Sequence, residues 1–171
     1  MTTEPIIESG MKFGPYPEGD CFYIENSATY QKIKEGVKIA EFLLLHSPDN
    51  SKVWIVEAKQ SSPRPETKSD WDDFILQIQE KLTNALTLSV ATCLKRHSTY
   101  EELPNSFQTL DLEKASFRLI LVINGYPKAL LPPLQDVLKK ALKPTIKTWN
   151  LSATSVMVLN ETLARKYKLI S

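Results

Sequence analysis

The stretch VWIVEAKQS, residues 53–61, puts two charges at the end of an otherwise apolar, β-prone run. Side chains alternate faces along a strand. Val53, Ile55, Glu57, Lys59 and Ser61 therefore share one face, and Trp54, Val56 and Ala58 share the other. Both faces are apolar as far as Glu57, which is the pattern of an interior strand in a sheet covered on both sides. An ionised group buried in such a strand is costly unless it is paired or metal-bound. Something at that end of the strand must satisfy Glu57 and Lys59.

Working outward, VKIAEFLLL at residues 37–45 has the same apolar character, and HSPDNS at 46–51 is turn chemistry. The two runs predict an antiparallel hairpin. With the turn centred on Asp49, Leu45 faces Val53 and Glu41 faces Glu57; a slip of two residues makes the two acids diagonal neighbours. Directly opposed side chains have Cβ atoms about 4.5–5.5 Å apart, and like charges there repel. Either one carboxyl keeps its proton at a raised pKa, or a cation sits between them. Two close carboxylates with a backbone carbonyl and waters suit Mg2+ or Mn2+. A lysine alongside positions a metal-bound water and neutralises a phosphate. Metal plus lysine is equipment for attack on a phosphodiester.

The rest of the chain supplies the frame. Residues 1–20, with three Gly and three Pro, read as an irregular N-terminal arm. CFYIE at 21–25 is β-prone, and a polar linker follows through Gly36. After a Pro-containing loop at 62–70, a helix runs from about Trp71 to His97, capped by Asp70 or Asp72. Its apolar stripe is Phe74, Ile78, Leu82, Ala85, Leu86, Val90 and Cys93. Residues 98–115 read as a loop insertion. A strand at 117–123 stops at Asn124-Gly125, and Pro132-Pro133 suits the first turn of a helix that Pro144 breaks or kinks. A strand at 155–159 follows, then a short helix with Asn160 as its N-cap. This order predicts one α/β domain over 1–171, with a mixed central β-sheet flanked by helices.

Composition narrows the function. Lys plus Arg number 21 against 20 Asp plus Glu, a net charge of +1, so any polyanion must meet a local patch. Lys139, Lys140 and Lys143 form the basic run most suited to phosphate contacts. Two cysteines, Cys21 and Cys93, give neither a disulfide framework nor a zinc site. The N-terminus lacks a signal-peptide pattern, and no apolar run approaches the roughly 20 residues that span a bilayer. A cytoplasmic protein without membrane association is expected.

An acidic residue on one strand, a hairpin, then E-x-K on the next strand resembles the PD-(D/E)XK, or restriction-endonuclease-like, nuclease superfamily. Glu66-Thr67-Lys68 also spells E-x-K, but in the Pro-rich loop. The resemblance covers residues 37–90 by motif and the remainder by element order. It implies Glu41 and Glu57 as metal carboxylates, Lys59 as the catalytic lysine and the Ala58 carbonyl as a further ligand for Mg2+ or Mn2+. It also implies an accessory acid from an early segment, Glu25 or Glu35, and a polar residue from the following helix, among Gln77, Lys81 and Asn84. Ala40-Glu41 stands where the family carries Pro-Asp. The implied activity is endonucleolytic hydrolysis of DNA, or of RNA, in a restriction or phage-defence context. The chain would act as a homodimer or as a subunit of a larger complex. A catalytically inactive subunit of the same fold is the alternative.

Overall fold

The computed structural model describes residues 1–46 and 51–171, so the turn expected around Pro48 and Asp49 lies outside the described residues. The chain opens with β1 (Ile6–Glu8) and β2 (Met11–Phe13), then β3 (Cys21–Phe22), a 3-10 turn at Ile24–Asn26 and α1 (Ala28–Ile33). Next come β4 (Phe42–Leu45), β5 (Lys52–Lys59), the long α2 (Lys68–Cys93) and α3 (Asn105–Gln108). β6 (Ser116–Ile123), α4 (Leu131–Ala141), α5 (Lys143–Thr148), β7 (Val156–Asn160) and α6 (Glu161–Lys166) complete it.

The main sheet has the order β3-β4-β5-β6-β7. β3, β4 and β5 pair antiparallel, whereas β5, β6 and β7 are parallel. Parallel neighbours need a crossover, and α2 and α4 provide them. The hairpin has the predicted register: Leu45 faces Val53 and Phe42 faces Val56. Apolar cores fill both sides. On one, Leu43, Ile55, Leu119 and Leu121 pack against Ile78, Leu82 and Leu86 of α2 and Leu134 and Leu138 of α4. On the other, Phe42, Trp54, Val56, Ile120 and Val122 meet Ile6, Met11 and Phe13 of the N-terminal hairpin and Ala164, Leu169 and Ile170.

Four local expectations change. α2 runs from Lys68 to Cys93 instead of from Trp71 to His97, and its N-cap is Thr67, not Asp70 or Asp72. The arm at 1–20 carries a hairpin, because Ser9 (φ 52°) and Gly10 (φ 74°) both adopt the left-handed conformation that a tight two-residue turn requires. That turn lets Ile6 and Met11 bury while Ile7 stays exposed. The polar linker contains α1, whose N-cap Ser27 accepts from the Tyr30 N–H through Oγ at 3.0 Å. The insertion at 98–115 holds the turn Tyr100–Glu102 and α3. The Glu102 carboxylate accepts from the N–H groups of Ala28 and Thr29 at 2.9 and 3.2 Å, completing the start of α1. Other signals appear as expected: prolines lie in the first turn of α4, and Asn160 Oδ1 accepts from the Leu163 N–H at 3.0 Å. Among the described residues, no helix is long and apolar enough to cross a membrane.

Candidate active site

The site lies at the C-terminal end of β5. Alternation carries Glu57 onto the face of Ile55, and the residue is 0% exposed. α2 runs back across that face, and Lys81 on it reaches Glu57 Oε1 with Nζ at 3.1 Å. Lys59, two residues along the strand from Glu57, reaches the same oxygen at 3.7 Å. The lysine side chains are 19% and 24% exposed, respectively, so both ammonium groups lie half-buried over Glu57. Burial pushes the Glu57 carboxyl up, Lys81 and Lys59 pull it back, and it settles at about 7. Burial draws the Lys81 ammonium down, but Glu57, Glu41 and Glu25 together outweigh this and its pKa is raised. Among the described residues Glu57 Oε2 has no hydrogen-bond partner.

Glu41 differs from the expected arrangement. It does not step into the ladder opposite Glu57; β4 begins only at Phe42. The Glu41 N–H bonds to the Val56 carbonyl at 3.0 Å, and Val56 is the residue Phe42 already faces. The Glu41 carbonyl accepts from the Glu25 N–H at 3.2 Å, which fastens the 3-10 turn of Ile24–Asn26 beside it. The side chain is 3% exposed and its Oε2 is unpartnered. Carboxylate oxygens of Glu8, Glu25 and Glu41 lie within 4.8 Å of one another, with Glu57 outside this trio. Burial, the adjoining Glu25 carboxyl and the charges of Glu57, Glu25 and Glu8 together lift the Glu41 pKa to about 10. Tyr23, at the rim, is raised to about 12 by burial and by Glu41, Glu25 and Glu8.

The two halves form one electrostatic unit, since Glu41 feels Glu57 and Lys81 feels Glu57, Glu41 and Glu25. Four carboxyls against two ammonium groups leave two negative charges if all ionise. That is the charge of one divalent cation. Oxygen-only donors and two orphaned buried oxygens fit Mg2+ or Mn2+.

Of the other residues singled out in the sequence, Glu25 joins the site, while Glu35 is exposed and stays out. Along α2, Lys81 reaches the carboxylates, Gln77 is exposed, and Asn84 donates to the Lys38 carbonyl at 2.8 Å. Ala58 directs its side chain into the opposite core. Lys139 lines a cleft with Arg118, Thr154 and Val156, and Lys140 and Lys143 lie beside Ala153. These positions border the starts of β6 and β7, at the opposite end of the sheet from Lys59. Glu8 escaped the sequence reading. The inward alternation of Ile6 and Glu8 before Ser9-Gly10 is the signal that identifies it. No family model, curated protein or solved structure matches the chain.

Proposed function

We propose that this chain is a divalent-metal-dependent phosphodiester hydrolase acting on nucleic acid, DNA first, with a restriction-endonuclease-like domain. The observation that carries this reading is the end of β5. There a fully buried Glu57 holds two lysines on one oxygen and leaves the other free beside a carboxylate trio. The acid before β4, the E-x-K ending β5 and a polar residue from the following helix resemble the motif pattern of that superfamily, which supports this reading. Glu41 and Glu25 would hold the ion, with Glu57 as the further carboxylate. Mg2+ or Mn2+ bound there would polarise a phosphoryl oxygen and lower the pKa of a water. Lys59, the more exposed lysine, donates to a non-bridging phosphate oxygen and holds the attacking water in line. Lys81 remains paired with Glu57 and fixes the orientation of that carboxylate.

The test is cleavage of plasmid and single-stranded DNA and of RNA, with Mg2+ or Mn2+ supplied. Wild type should cleave, and Lys59→Ala should not, at unchanged circular dichroism. A second reading has its own observation: Glu57 Oε1 is already held at 3.1 Å by Lys81, as in a structural ion pair. On that reading the chain is a non-enzymatic subunit of a larger assembly. Absence of cleavage with either metal, together with no metal-induced rise in Tm, decides for it.

A further inference from the structure

The N-terminal hairpin occupies a place that a mere cover for the sheet would not need. Its turn is clamped to the ends of two central strands. Asn124, just past β6, donates from Nδ2 to the Ser9 carbonyl at 3.3 Å. Gly10 lies so close that a Cβ would sit 2.7 Å from both Gln60 Oε1 and Asn124 Nδ2. Gln60 directly follows the E-x-K lysine. Within the hairpin Glu8 pairs with Met11, and both alternate to the inner face used by Ile6, while Ile7 and Lys12 turn outward. The result is a carboxylate delivered among those of Glu25 and Glu41, with oxygens of all three within 4.8 Å. Three carboxyl side chains converge where Glu41 Oε2 is buried and, among the described residues, unpartnered, and the fully buried Glu57 also keeps an unpartnered oxygen. Among the described residues neither buried oxygen has a hydrogen-bond partner, so a proton or a cation must satisfy it, and three converging carboxyls favour the cation.

We infer that Glu8 is a direct ligand of the divalent ion, so that the N-terminal hairpin is part of the metal site and is fastened to the sheet when the ion binds. This inference rests on the reading of the pocket as a cation site, but not on nuclease chemistry. It makes the first strand of the chain, remote in sequence from the E-x-K motif, a component of the same centre. The register assigns the role to Glu8 and not to Glu4 or Glu18, because Glu8 alone of the three belongs to the carboxylate trio.

The experiment is Mn2+ titration of the full chain by calorimetry, paired with hydrogen exchange over residues 6–13 with and without Mn2+. Wild type, Glu8→Gln, Glu41→Gln and the loop control Glu66→Gln are compared. Glu8→Gln should keep the circular dichroism spectrum and weaken Mn2+ binding by about tenfold or more, since ligand charge sets affinity at oxygen sites. It should also lose the Mn2+-induced slowing of exchange at 6–13 that wild type shows. Glu41→Gln should weaken binding at least as much, and Glu66→Gln should match wild type. Wild-type affinity in Glu8→Gln, with binding lost in Glu41→Gln, removes Glu8 from the site and leaves the cation reading standing. Failure of wild type to bind Mn2+ overturns both.

Discussion

Glu41 and Glu57 are buried almost equally, yet their surroundings are opposite. Glu57 receives its neighbours from β5 and α2, which bring Lys59 and Lys81 onto one oxygen and hold the carboxyl near 7. Glu41 receives its neighbours from β1 and the 3-10 turn after β3, which bring Glu8 and Glu25 and, on top of burial, drive it to about 10. Burial raises both groups most, and the charges packed around each set the difference between them. One half of the pocket is balanced by the protein itself. The other half is balanced only by a proton or by an added cation.

The sharpest way to break this comparison is at Lys59. Lys59→Ala should lower cleavage by about a hundred- to a thousandfold, in the range of a lost transition-state donor, with metal binding retained. A loss of metal binding instead would move Lys59 from chemistry to site assembly. Next in size is Lys81→Met, which leaves Glu57 buried beside one weaker partner. Breaking a buried pair in this way should cost about 3 kcal/mol in urea unfolding, and adding Glu57→Gln should recover most of it. A cost below about 1 kcal/mol, the range of exposed pairs, would mean that Glu57 is not held by Lys81.

The uncompensated half predicts a smaller effect of opposite sign. A folded-state pKa raised from 4.5 to about 10 means that Glu41 keeps a proton the unfolded chain has released. Its contribution is fully favourable below 4.5 and declines as pH rises toward 10; Glu57 adds a similar decline between 4.5 and about 7. Metal-free protein should therefore lose stability with rising pH, and Mn2+ should restore it most at high pH. Glu41→Gln should stabilise the metal-free protein by about 2 kcal/mol at pH 8 and far less at pH 5. Denaturation curves at the two pH values check this, and equal gains at both would exclude a raised Glu41. The smallest effect belongs to Lys139, Lys140 and Lys143. Their combined replacement by Ala should leave cleavage within about twofold, as for surface changes away from a site.

The difference between the two halves also explains what could be read from the sequence. β5, its charged end, the register with β4 and the stripe of α2 were legible because each is a periodic pattern several residues long. Lys81 and Glu25 were visible as options, but choosing them needed the packing angle of α2 and the backbone bond from Glu25 to Glu41. The facing of Glu41 with Glu57 failed for a local reason: the Glu41 N–H returns to Val56, and the ladder ends one residue early. The N-terminal hairpin was lost among glycines and prolines, since strands of three residues give too little alternation to register. Lys139, Lys140 and Lys143 drew notice by charge alone, and charge along a helix does not say which end of a sheet it meets.

The rear cover of the sheet joins segments from both extremes of the chain. Tyr16 donates its hydroxyl to the Leu169 carbonyl at 2.6 Å across a separation of 153 residues, the Gly14 N–H reaches the same carbonyl, and Phe13 bridges to Ile170. A nascent chain still missing Leu169 and Ile170 leaves Phe13 without its lid, so the hairpin bearing Glu8 cannot settle until synthesis has passed them. An unfinished polypeptide would thus leave the ribosome with the Glu8, Glu25 and Glu41 carboxyls not yet gathered.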